Sequence, residues 1–416
     1  MPIQSERNKR IFYAVILLII AVGLGYLLYI VFFRGTPGTT PGGNENVNNT
    51  NGALPNVNEP LGNINGGGNT NDGGGGGLPG VSPVANGGLT ETDVLTPNSE
   101  AQNPAPSSSG SIRYYNPDDG KFYSVNDNGD IVQIAEAQFP YVDHVTWSDT
   151  SNEVILEFPD GSNVYYHLDT KRQVTLPKEF EDFDFSPNSS QIAFKYMAEE
   201  EERRALGVAN PDGSSIRTLE SLGQNGDKVN VDWSPTGNVV ATYSEFVNGS
   251  DQELTFIGLH GENFKGAVVD GRGLKTEYSP NGQQLLYSVY SASTGYQPSL
   301  WLVDANGDDI GKNREELQLH TSPDKCAFNS TSTVVYCGVP SEQKFGSGIE
   351  PDVLDGTTDD IYRVDLNTGL KERIAVPVDD QGNPAYTVDD IFVGKDGSTL
   401  YFRDKKSGKL VKIDLP

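Results

Sequence analysis

A fourteen-residue pattern, rewritten several times, limits this chain more than any other feature. VDWSPTGNVVATYS runs from Val231 to Ser244. Related versions begin at Val145 (VTWSDTSNEVILEF), Phe183 (FDFSPNSSQIAFKY), Thr276 (TEYSPNGQQLLYSV), Cys326 (CAFNSTSTVVYCGV) and Ile391 (IFVGKDGSTLYFRD). Each has an alternating polar and apolar run, a polar turn, then a second apolar run, the period of two expected of paired strands. Ser or Asn opens the turn, where its side chain can bond nearby amides. Pro next presets φ for a type I turn, and Asn, Asp or Gly closes it. A second hairpin follows each pair, as in SLWLVDANGDDIG from Ser299 and NVYYHLDTKRQVTL from Asn163. The unit is therefore four antiparallel strands, A to D.

The turn positions Ser148, Ser186, Ser234, Ser279, Asn329 and Gly394 are spaced by 38, 48, 45, 50 and 65 residues. Tandem four-stranded units of about 40–50 residues predict an all-β chain folded as one β-propeller. The ends, 111–147 and 394–416, suit one further blade shared by both termini, which would close the ring without an open edge. The expectation is six blades. The segment YYNPDDGKFYSV from Tyr114 offers a seventh turn, so seven is the alternative.

Outside the repeats the chain changes character. Ile11 to Phe33 holds 23 residues without a charge, about 34 Å as a helix and long enough to cross a bilayer core of about 30 Å. Arg7, Lys9 and Arg10 precede it and Arg34 follows. That bias predicts a single-pass transmembrane helix, with residues 1–10 cytoplasmic and the remainder outside the cell membrane. Residues 35–110 hold 18 Gly and 14 Asn and no Lys, Arg or aromatic residue. Such a segment buries too little apolar surface to offset its ordering entropy, and reads as a disordered linker. Residues 111–416 are the propeller domain.

Charge and chemistry narrow the function. Of the 30 basic and 57 acidic residues, only four and seven precede residue 111. The body is strongly acidic and repels phosphate backbones, which argues against nucleic-acid binding. The four histidines, His144, His167, His260 and His320, form no metal-binding pair motif. The Asp-rich turns NPDDG and DANGDD lack the full calcium-loop spacing. No catalytic residue, cofactor or metal ligand stands out.

WSPTGNVVATYS, FSPNSSQIAFKY and YSPNGQQLLYS resemble the WD40-like repeats of TolB-type propellers, which also occur beside the hydrolase domain of prolyl-oligopeptidase-family peptidases. The resemblance covers roughly 145–404 and weakens at Asn329 and Gly394, where the Ser and Pro are missing. This chain has no G-x-S-x-G and no room for a hydrolase domain. The resemblance implies a periplasmic or envelope scaffold that binds other macromolecules without catalysis. The leading expectation is thus a membrane-tethered, non-enzymatic binding propeller whose partner is a cell-envelope protein or other macromolecule. The alternative is an envelope hydrolase or lyase with its site at the channel mouth.

Two sets of residues follow. Cys326 and Cys337 flank the turn at Asn329 and fall nearly opposite across strands A and B, within reach of a disulfide in an oxidising compartment. The long B–C and D–A connections all emerge on one face, which marks it as the working surface. Candidate contacts there are Arg272, Tyr296, Phe345 and Tyr386.

Overall fold

The structure, a computed structural model, describes residues 80–416. Seven sheets stand around a central channel, each built on antiparallel strands, and five of them take all four strands in chain order. Their innermost strands are Gln102–Pro106, His144–Trp147, Phe180–Phe185, Val229–Val231, Arg272–Tyr278, Cys326–Phe328 and Val388–Val393, and they define blades 1 to 7. The fold is an all-β propeller of seven blades, which corrects the expected six.

The missing blade lies where the composition reads as linker. Gln102–Pro106, Ile112–Asn116, Lys121–Val125 and Ile131–Gln133 form blade 1. Its A–B turn is Ser107–Ser111, where the Ser107 amide bonds the Ser111 carbonyl and the Gly110 amide returns to the Ser107 carbonyl. NPDDG, offered above as a seventh turn of this kind, is instead the B–C turn. Gln102–Pro106 carries two prolines, a composition that argues against an inner strand of an ordinary sheet. Here the strand has one free edge facing the channel, so a missing N–H costs no ladder bond on that side. The linker expected over 35–110 therefore cannot extend through its last residues.

Ring closure uses the same region. Blade 7 takes three strands from the C-terminus, and its outer strand is Asp93–Val94, paired antiparallel with Lys412 and Val411. Leu89–Thr90 adds a parallel fifth strand to blade 6, opposite Val376 and Pro377. Both ends of the body are thereby stitched into neighbouring blades.

The recurring turn shows why its residue types recur. In blades 3 to 5 the opening serine, Ser186, Ser234 or Ser279, accepts on Oγ the amide five residues on, from Gln191, Val239 or Gln284. Asn329 does the same for Val334 through Oδ1. The aromatic just before it, Trp147, Phe185, Trp233, Tyr278 or Phe328, is buried between blades. The blade 4–5 layer holds Leu254, Phe256, Tyr278, Leu285 and Tyr287, and the blade 1–2 layer Tyr115, Phe122, Trp147, Val154 and Tyr166. Each such side chain contributes roughly 1.5–3 kcal/mol on burial.

Among the described residues no helix is long and apolar enough to cross a membrane. The anchor expected at 11–33 lies outside the described residues, as does most of the expected linker.

Candidate functional site

Strand direction sends the short A–B and C–D turns to one face of the ring and the B–C and D–A connections to the other. The second face is uneven because one connection is long. Between Val334–Pro340 and Asp359–Asp365 of blade 6, residues 341–358 form a strap. It leans onto blade 5, where the Gly346 amide bonds the Gly295 carbonyl at 2.9 Å and the Gly348 amide the Tyr296 carbonyl at 2.7 Å. An exposed ion pair ties its far end to blade 7, Lys405 to Asp355 at 3.2 Å.

Two glycines allow this closeness. A Cβ on Gly348 would lie 2.6 Å from the Tyr290 side chain, and one on Gly273, at φ +65°, would lie closer still to the same ring. Tyr290 is gripped from both sides, and the strap rests on it.

The strap presents Phe345, Ile349 and Val353 outward, at 74, 57 and 38% exposure. The Phe345 ring meets Tyr296 edge-on, with centroids 5.6 Å apart. Glu342, Glu350 and Asp352 are exposed around them. A rigid apolar group rimmed by acids is what this face offers a partner. Of the four residues singled out from the sequence, the structure thus brings Tyr296 and Phe345 together. Arg272 belongs to a separate group, above the exposed Phe246 ring at 5.5 Å and bonded to the Gly249 carbonyl. Tyr386 is turned inward: its ring packs on Phe402, and its hydroxyl donates to Thr92 Oγ1 at 3.1 Å, whose own proton goes to the Val378 carbonyl at 2.8 Å.

Cys326 and Cys337 are directly paired across the two inner strands of blade 6, with Cα atoms 4.1 Å apart, and their sulfurs are bonded. The bridge sits at the root of the strap, since Cys337 lies on the strand that leads into it.

Beneath the strap, where blades 5, 6 and 7 meet, lies a cavity of about 240 Å³. Its wall includes Tyr290, His320, Lys325, Ser347, Leu354 and Val388. Lys325 reaches over to Asp359, both oxygens at 2.7 Å, and Asp359 also accepts the Val388 amide at 2.6 Å. The pair lies within blade 6, and the bond from the Val388 amide ties its carboxylate to blade 7.

The channel wall carries a feature that sequence reading missed. Asp184, Asp232 and Glu277 come from the inner strands of blades 3, 4 and 5, or the residue just past one. Burial within the ring first, and then repulsion from Asp232 on Asp184, from Glu277 on Asp232 and from Asp184 on Glu277, pushes all three carboxyls up, to about 8, about 8 and about 7. The signal was present: each stands two residues before its turn serine, in FDFSPN, VDWSPT and TEYSPN. Bulges add to the channel's irregularity. The inner strands of blades 1, 3, 5 and 7 each slip register beside a residue of positive φ, at Asn103, Asp182, Gly273 and Asp390. These residue types tolerate that conformation, and a bulge re-aims the side chains beside it. Among the described residues no three His, Cys, Asp or Glu side chains are placed to hold a metal ion.

The sequence matches no protein-family model and no curated protein. Solved structures share the architecture. An oligogalacturonate lyase in complex with manganese is 13% identical over 78% of this chain and 93% of its own, with a TM-score of 0.53. The oligogalacturonate lyase of Vibrio parahaemolyticus is 12% identical over the same shares, with a TM-score of 0.52. TolB from Acinetobacter baumannii aligns over 63% of each chain at 12% identity, with a TM-score of 0.37. At these identities the likeness is one of fold: the chain is a β-propeller.

Proposed function

We propose that this chain is a non-enzymatic binding propeller that docks a protein partner on the face carrying the strap. The observation behind it is the outward triad Phe345, Ile349 and Val353 on a backbone pinned to blade 5. Large apolar side chains held rigid in water are costly on a protein with no partner, and they mark interaction surfaces. The acidic rim of Glu342, Glu350 and Asp352 favours a partner whose apolar patch is edged by Lys or Arg, and makes association weaken with salt. As part of the same proposal, the N-terminal segment tethers the ring at the outer side of the cell membrane, where such a partner would be an envelope protein.

The test places a photo-crosslinking residue at position 296 of the full chain in intact cells. A discrete protein adduct is expected, and it should vanish in the variant F345S/I349S/V353S while the melting temperature stays within about 2 °C, since exposed side chains add little to folding. An adduct of equal yield in the variant overturns the assignment of the face.

A further inference from the structure

None of the docking triad lines the cavity beneath the strap, and its wall has its own chemistry. We infer that it is a binding site for a small uncharged molecule rich in hydroxyl groups, of about the size of a monosaccharide. Its volume of about 240 Å³ falls just below the roughly 300–1,000 Å³ of sites for drug-sized ligands.

Charge gives the first constraint. Lys275, Lys325 and Lys405 all border the cavity, and each already faces a carboxylate: Asp324 at 2.9 Å, Asp359 at 2.7 Å and Asp355 at 3.2 Å. The wall is balanced within itself. A charged guest would lose its water and gain no free counterion.

Hydrogen-bond bookkeeping gives the second. Thr387 Oγ1 donates to the Thr357 carbonyl at 2.8 Å, and Thr321 Oγ1 donates to the Gly338 carbonyl at 2.6 Å. His320 Nδ1 lies 3.1 Å from the Pro298 carbonyl. A carbonyl only accepts, so Nδ1 carries the proton there, and with one proton on the ring Nε2 is left as an acceptor. The protons of all three groups are spent on the protein. What they retain is lone pairs, so the guest must bring the donors. A compact molecule with several O–H groups does so without a charge.

Ser347 gives the third. It borders the cavity at 1% exposure, and its Oγ has no hydrogen-bond partner. A dry, unpaired hydroxyl is a free-energy cost that a bound guest would relieve. Val289, Tyr290, Pro298 and Leu354 complete the wall with apolar surface suited to the C–H face of a sugar ring.

The experiment uses the full chain in detergent, with calorimetric titration and thermal melts. The probes are D-glucose, D-galactose, N-acetyl-D-glucosamine and myo-inositol. The controls are glucuronate, glucosamine and fully O-methylated glucose. At least one neutral probe should bind and raise the melting temperature, with the charged and O-methylated forms weaker by about tenfold or more. Ser347→Ala should weaken that binding about fivefold while leaving the free protein as stable or more so, because the hydroxyl makes no bond to lose. His320→Phe should weaken it comparably. Failure of all four neutral probes overturns the inference, as does tighter binding of a charged control or unchanged affinity in both variants. F345S/I349S/V353S should bind the sugar like the wild type, so failure of the docking reading and failure of this one are separable.

Discussion

Replacing Asp232 with Asn should stabilise the ring at pH 8 and leave it unchanged at pH 3. Asp232 stands between Asp184 and Glu277 along the channel wall, and among the described residues its carboxylate accepts no hydrogen bond, so the amide loses nothing. In the folded ring Asp184 and Asp232 are pushed to about 8 and Glu277 to about 7, from ordinary values of 3.8 and 4.5. A carboxyl whose folded pKa is raised prefers to keep its proton in the fold. Its favourable contribution is complete below about pH 4 and is lost progressively as the pH climbs from there to about 8. For Asp232 a shift of about four units, at about 1.4 kcal/mol each, sets a ceiling near 6 kcal/mol. The true figure is smaller. Asp232 is only half-buried and Glu277 is exposed to channel water, which screens their repulsion, and the three titrate as a coupled set. About 2 kcal/mol is left for one group at pH 8, or a gain of roughly 2–4 °C in a ring of this size. Calorimetric melts of wild type and Asp232→Asn between pH 3 and 8.5 measure it. A variant that melts at or below the wild type at pH 8, or gains as much at pH 3, refutes the account.

Other consequences are checked more simply. Reduction of the Cys326–Cys337 bridge should cost about 3 kcal/mol, since the closed loop spans 11 residues; intact mass with and without reductant should differ by two hydrogens. Removing residues 1–79 should leave the melt of the ring unchanged. Removing 1–96 takes away Leu89–Thr90 and Asp93–Val94, and should broaden and lower the transition, because two blades lose their stitching strands. Lys325→Met strands the buried Asp359 carboxylate and should destabilise by about 3–5 kcal/mol in urea titrations; a change below 1 kcal/mol would mean that the lysine does not hold the carboxylate that bonds the Val388 amide of blade 7.

Much of the ring is legible because one turn is built the same way in most blades. The serine at 186, 234 or 279 is buried yet satisfied by the hairpin it opens, so its replacement is costly and the pattern persists. Blade 1 escaped the reading for an equally physical reason. Its inner strand, Gln102–Pro106, needs no donors on the channel side, so two prolines stand where a strand would ordinarily exclude them. The closing strands Leu89–Thr90 and Asp93–Val94 are two residues each, too short to show any period. The cavity under the strap was invisible because its wall gathers single residues from 273 to 405, none remarkable alone. Tyr386 was read as a contact from its loop, but the loop turns its ring inward onto Phe402.

The six residues FDFSPN, and their counterparts VDWSPT and TEYSPN, carry three separate duties in alternate directions. The aromatic enters the layer between blades, the serine locks the hairpin, and the acid of the opposite alternation faces the channel. A strand permits this because neighbouring side chains point to opposite sides. A one-residue slip would drive Asp232 into the space held by Trp233 and expose the indole to the channel. The acids therefore share their register with the core, and the charged lining comes as a consequence of the repeat. That origin explains why three carboxyls sit together without a counterion, and why the cost is borne at neutral pH rather than relieved by nearby lysines. It also separates the channel from the strap. The strap breaks the repeat and holds the cavity and docking triad, whereas the channel acids follow the repeat.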